Sequence, residues 1–294
     1  AVNLPASKNP ELRGRQADFF VLTQDFGGSP LVDYCETGRM QEKDPNLDLG
    51  TAMAISGAAA SSFMGVKSLP SLSFWLALLN VRLAYWLPNP KRASRLRTKS
   101  GASPLVVWRE LFGRLDEASD YVNVSDGGHI ENLGVYELLR RKCRYIVAID
   151  AEADPGMEFG SLMQLMRYAE IDFGIDIELD LDELSLDKER RCKAHFGFGT
   201  IDYGRGQTGY LLYIKSSLTG NEPDYVRDYR QRNPTFPHET TADQFFDEVQ
   251  FESYRELGYC IADKMLGSRV NTDQGEIDLS ELVSNCGAHV PPTP

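Results

Sequence analysis

The sequence predicts an α/β fold with a parallel sheet, and three observations carry that prediction. Tyr121 to Ser125 alternates as a strand and delivers Asp126 at its end. Leu133, Tyr136 or Glu137, and Leu139 mark a helix that closes on Arg140, Arg141 and Lys142, cations that suit the negative end of a helix. Arg144-Tyr-Ile-Val-Ala-Ile149 is then a continuous apolar run, the pattern of a strand buried in a parallel sheet. Strand, helix and strand within about 30 residues make a βαβ unit, whose crossover is right-handed.

Bulk properties bound the function. A chain of 294 residues with 42% hydrophobic residues suits one large domain or two small ones with a substantial core. Its net charge of -12 excludes a general nucleic-acid binder, because phosphate recognition needs a basic footprint. Cys35, Cys143, Cys192, Cys260 and Cys286 are dispersed, with no metal-ligand spacing. Such a set fits reduced thiols and a cytoplasmic location. The best transmembrane candidate, Leu69 to Leu87, contains Pro70, Asn80 and Arg82. Its longest apolar run, Phe74 to Leu79, falls far short of the roughly 20 residues a span needs. Ala1 is not a methionine and no signal segment follows it, so the expectation is a processed start or part of a longer chain.

In chain order, residues 1–17 read as a polar lead-in and Phe19 to Leu22 as a buried strand. Gly27-Gly28-Ser29-Pro30 reads as a turn, and residues 33–48 as loop. Leu49 to Gly65, rich in Ala and Gly, suggests a closely packed helix or a tight strand-to-helix turn. Leu72, Trp75 or Leu76, Leu79, Leu83 and Trp86 recur at helical spacing until Pro88 and Pro90. Beyond the βαβ unit, Ser161 to Ile171 reads as helix and residues 176–189 as an acidic loop or edge. His195 to Tyr203 and Tyr210 to Leu218 form an antiparallel pair around Gly204-Arg-Gly206. Phe246 to Met265 carries an amphipathic helical pattern, and residues 271–294 a loose tail.

From Leu49 to Arg109 there is no Asp or Glu, whereas Lys67, Arg82, Lys91, Arg92, Arg95, Arg97, Lys99 and Arg109 all lie there. So do all three tryptophans, Trp75, Trp86 and Trp108. Basic residues with tryptophan suit an anionic membrane surface; a core helix followed by a solvated basic loop would give the same composition. Peripheral membrane association through this stretch is one expectation, with Arg92, Arg95 and Arg97 as phosphate or membrane contacts.

Asp126-Gly127-Gly128 is the candidate site. A carboxylate at the C-terminal end of a parallel strand lies where open α/β sheets place ligands. Two glycines after it permit a tight turn. An aspartate there can equally cap the next helix. The wider string, Val124-Ser-Asp-Gly-Gly-His-Ile-Glu-Asn132-Leu-Gly, then Tyr145-Ile-Val-Ala-Ile-Asp150-Ala-Glu-Ala-Asp154, resembles the patatin-like and group IV cytosolic phospholipase superfamily. Arg232 to Asp247 is similar to the closing part of that catalytic domain, and Ala52 to Ala59 with Asn80 to Leu83 to large bacterial patatin-like proteins. The resemblance covers about residues 50–265 and is most specific over 120–155.

The resemblance implies a three-layer α/β sandwich with a mostly parallel central sheet, of which residues 1–270 would be the C-terminal portion. It implies lipid acyl-ester hydrolysis by a Ser–Asp dyad without histidine or cofactor, acting on membrane phospholipid or another acyl ester. Asp126 takes the place of the dyad acid, with Gly127, Gly128 and Asn132 as its supporting turn. The serine of that family sits on a G-x-S-x-G elbow, and none occurs here. The closest string, Ala54-Ile-Ser56-Gly-Ala58, has alanines where glycines belong and falls after the elbow region. The serine is therefore expected on an upstream segment or a second chain. A non-catalytic lipid-binding or scaffolding module of the same fold is the alternative. A Ser-His-Asp esterase using His195 is another, although His195 opens a strand pattern with no nucleophile signature beside it. His129, just past the turn, reads as solvated or helix-capping. Neither Asp150, Glu152 and Asp154 nor Asp126, His129 and Glu131 matches a shaped divalent-cation loop, so no metal is expected.

Overall fold

A computed structural model describes residues 1–58, 84–95, 113–240 and 245–266. The chain divides into two compact units, Ala1–Asn132 and Leu133–Pro294. The architecture is mixed α/β, with mostly antiparallel sheets.

In the first unit, β1 (Val2–Asn3), β2 (Ala17–Asp18), β6 (Tyr85–Pro88) and β7 (Tyr121–Val124) form an antiparallel sheet in the order β2-β1-β7-β6. A meander joins β3 (Val21–Leu22), β4 (Phe26–Ser29) and β5 (Asp33–Glu36). The expected strand at Phe19 to Leu22 is thus shortened to Val21–Leu22 and half-buried. The expected turn at Gly27-Gly28 is instead strand β4, and the chain reverses after Ser29. Gly28 has φ +151°, and a Cβ there would overlap Asp33 O, so glycine is what lets β5 approach. Helices α1 (Thr37–Lys43) and α2 (Leu49–Ser56) follow. Asp48 caps α2 by accepting from Thr51 N–H at 2.7 Å.

Trp86, expected to end a helix, lies in β6; residues 72–83 of that expectation lie outside the described residues. Pro88 is tolerated because β6 has no second strand partner among the described residues. Val122 and Val124 of β7 bury one face of the sheet against Val2, Leu4, Met40 and Leu87. Full burial of such a side chain contributes about 1.5–3 kcal/mol.

The second unit opens with α3 (Tyr136–Arg140) and β8 (Tyr145–Asp150), followed by α4 (Gly160–Phe173). Strands β9 (Asp176–Leu179), β10 (Phe196–Asp202) and β11 (Thr208–Lys215) complete a sheet in the order β8-β11-β10-β9. The β8–β11 pair is the one parallel ladder among the described residues. The βαβ expectation therefore changes. Both edges of β7 are taken by antiparallel partners, β1 and β6, and β8 pairs in a separate sheet. Nor is β8 buried on both faces: Ile146, Ala148 and Asp150 are buried while Val147 and Ile149 are exposed. The β10–β11 hairpin forms as expected, turning through Gly204-Arg205-Gly206, all at positive φ. Helices α5 (Asp224–Arg232) and α6 (Glu248–Leu266) cover its face with Val226, Tyr229, Leu257 and Ile261 against Leu212 and Ile214. Among the described residues no helix is long and apolar enough to cross a membrane. Residues 271–294 lie outside the described residues.

Candidate functional site

Asp126 lies two residues past the end of β7 and is half-buried. Its Oδ1 accepts the Gly128 N–H at 2.8 Å, capping the short 3-10 turn Gly127–His129. A Cβ on Gly128 would overlap Asn132 Oδ1 and stand 3.3 Å from Asp126 Oδ1. The structure therefore brings Asp126, Gly128 and Asn132 together, and Gly128 is the residue that leaves room for the contact. Gly127 has open space where a Cβ would stand. One Asp126 oxygen is anchored, and Oδ2 has no partner among the described residues. Such a carboxylate is oriented for proton transfer, with the buried Ala1 amino group within its electrostatic reach.

A buried polar row holds this turn. Asn3 pairs with Asn123 across the β1–β7 ladder, and its Nδ2 donates to Asn123 Oδ1 at 2.9 Å and Ser125 Oγ at 3.0 Å. Ser125 Oγ lies 2.9 Å from His129 Nδ1. His129 is buried, not solvated as expected, and it ties the turn back to β7. The alternation Val122-Asn-Val-Ser signals a polar second face on this strand. The Asn3 partner, 120 residues away in sequence, is not readable from spacing.

Ser56 is the last residue of α2 and exposed. The two elements meet, since Asp126 N–H donates to Ala58 O at 3.4 Å. Yet a nucleophile elbow sets its serine where a helix begins and N–H groups point at the reacting oxygen. Ser56 stands where a helix ends and carbonyls point outward. A cleft with about 1,220 Å³ of empty space, open to solvent, lies at the other end of α2, lined by Leu22, Thr37, Gln41, Leu47, Leu49 and Ala52.

The basic stretch is described only in part. Lys91 pairs with Asp33 at 3.6 Å and Arg92 with Asp120 at 3.4 Å, all largely exposed. The side chains of Arg95 and Arg97, together with Trp75 and Trp108, lie outside the described residues.

The second unit resolves the remaining candidates. Asp150 is buried, and its Oδ1 binds Lys215 Nζ at 2.8 Å while Oδ2 accepts the Tyr213 hydroxyl at 2.5 Å. Burial, then the bonded carboxylate, pushes the Tyr213 phenol far up. Lys215 also donates to Glu152 O at 3.1 Å. Asp154 accepts the N–H groups of Glu158 and Phe159 at 2.9 and 2.8 Å. These carboxylates are committed to structure, and among the described residues no three ligating side chains group around a cation position.

His195 precedes β10 and is buried. Its Nδ1 lies 2.9 Å from Ser217 Oγ, a pair that sequence spacing did not disclose. Its Nε2 meets Thr219 Oγ1 at 3.3 Å rather than a carboxylate. Burial, reinforced by Lys264, lowers its pKa to about 4. An imidazole that reluctant to accept a proton is a poor general base at neutral pH, so the pair serves the core. In comparisons with family models, curated proteins and solved structures, the chain finds no match.

Proposed function

We propose that this chain supplies the aspartate of a Ser–Asp dyad in a lipid acyl hydrolase. One observation carries the reading: Asp126 sits at the end of β7 with Oδ1 fixed by the Gly128 N–H and Oδ2 open to a hydroxyl. A serine Oγ attacks the ester carbonyl and gives its proton to Asp126 Oδ2. That proton passes to the leaving alkoxide. Water then attacks the acyl-enzyme, its proton goes to Asp126, and the serine regains a proton as the acid departs. The placement of Ser56 at a helix end supports a serine supplied from another segment or chain. Ester hydrolysis by the complete protein on short-chain esters should fall about 10²–10⁴-fold in Asp126→Asn; equal activity removes Asp126 from the mechanism.

The finer architecture, a three-layer sandwich with a mostly parallel sheet, belongs to the same proposal. The parallel β8–β11 pair supports it, as does the outer edge of β8, unpaired among the described residues beside exposed Val147 and Ile149. We also infer that the basic segment 49–109 meets an anionic membrane surface, at a cytoplasmic location. Binding to anionic vesicles should weaken with salt and on neutralising Arg92, Arg95 and Arg97 together; salt-independent binding, or none, rejects this.

A non-catalytic lipid-binding module is the second reading, favoured by the absence of an elbow serine among the described residues. Under it, wild type and Asp126→Asn bind vesicles alike and neither hydrolyses esters.

A further inference from the structure

Arg190 and Arg230 are set apart from the arginines next to them in the chain. Arg191 pairs with Glu189 at 2.9 Å, Arg232 with Asp228 at 2.7 Å, and Arg227 with Asp224. Arg190 and Arg230 have no carboxylate partner among the described residues. Instead each is steadied by main-chain carbonyls. Arg190 Nη2 donates to Pro155 O, and Arg230 Nη1 donates to Pro234 O and Phe236 O. That leaves Nε and Nη1 of Arg190, and Nε and Nη2 of Arg230, without a partner among the described residues. A guanidinium carries five donors in a fixed plane, so each retains an unused fork edge.

Both side chains line the same two adjoining clefts, with about 340 Å³ and 600 Å³ of empty space, partly open to solvent. The smaller cleft adds Ser217, Thr235 and His238. The larger holds two carboxylates, but Glu189 is engaged by Arg191 and Glu222 accepts the Thr219 and Gly220 N–H groups. Burial lowers the Arg230 pKa and the charge of Arg190 lowers it further, so the two cations repel each other. In a chain of net charge -12, two cations held together with open forks want an anion between them. Two guanidinium edges match the oxygens of a phosphate group bidentately.

We propose that the Arg190–Arg230 cleft binds a phosphate group, carried either by a phospholipid headgroup or by a small soluble phosphate. The site lies within the second unit and does not depend on Asp126 or on any esterase activity.

Isothermal titration of the full chain with inorganic phosphate, at low salt and near neutral pH, tests it. A second arm measures binding to phosphatidylcholine vesicles with and without phosphatidic acid. Arg190→Gln changes an exposed side chain and should fold; it should weaken binding at least about tenfold. Arg230→Gln should do the same, with circular dichroism confirming its fold. Arg232→Gln, paired with Asp228 and lining neither cleft, should leave binding unchanged. If phosphate binds through Arg190, soluble phosphate suffices; if only phosphatidic acid vesicles bind through Arg190, the headgroup is the source. Absence of binding to both probes overturns the proposal. So does equal affinity of wild type and Arg190→Gln, or an equal loss in Arg232→Gln, which would mark a diffuse charge effect.

Discussion

At the scale of single residues, environment decides what each ionisable group can do. Asp150 ends β8 and Asp126 stands two residues past β7, and spacing treats them alike. The first keeps an open oxygen, whereas the second is enclosed by Lys215 and Tyr213. Only the long-range partners, more than sixty residues away in sequence, separate a candidate acid from a buried ion pair. His195 makes the point measurable. Ser217, Thr219, Lys264 and Glu222 surround it, and the fold holds it neutral with a pKa near 4, below the ordinary value of about 6.5. Between those values the unfolded chain binds a proton that the folded protein refuses. Its contribution to stability is thus present above pH 6.5 and is lost as pH falls toward 4, to a total of about 3 kcal/mol. Urea unfolding of wild type and His195→Gln over this range should show a steeper acid loss in wild type. Parallel curves would mean that His195 titrates normally.

At the scale of elements, local pattern was legible and pairing was not. Strand β7, the turn at Asp126, strand β8, helix α4, the β10–β11 hairpin and helix α6 all form close to where periodicity places them. The same patterns implied that β7 and β8 share a parallel sheet. They do not, because which strand takes each edge of β7 depends on β1 and β6, segments distant in sequence. Glycine roles divide the same way. A Cβ on Gly199 in β10 would overlap Glu178 O and touch Leu179 in β9, so the close approach of two backbones requires glycine. Gly258, inside α6, has nothing within 4 Å of where a Cβ would stand. Gly199→Ala should destabilise by about 1–3 kcal/mol, while Gly258→Ala should stabilise by about 0.5–1 kcal/mol. Thermal melts of the two variants should move in opposite directions; a shared sign would show that the β9–β10 spacing is not set by Gly199.

At the scale of the whole molecule, the two units can be followed separately, because the tryptophans Trp75, Trp86 and Trp108 all precede Asn132. Tryptophan emission reports the first unit, whereas far-ultraviolet circular dichroism sums over both. The Asp150–Lys215 pair lies wholly inside the second unit, with both side chains almost inaccessible. Lys215→Met leaves a buried carboxylate without its cation, which costs about 3–5 kcal/mol. If each unit folds on its own core, part of the dichroism transition shifts to lower urea while the tryptophan midpoint stays in place. A tryptophan midpoint that falls in step with the dichroism would instead show one cooperative unit, in which the Asp126 turn depends on the second core. The dyad reading gains a consequence from either result. With independent units, Lys215→Met should leave the turn at Asp126 folded at urea concentrations that melt the Arg190–Arg230 cleft, so esterase activity of the complete protein would outlast phosphate binding. With coupled units the two activities would vanish together.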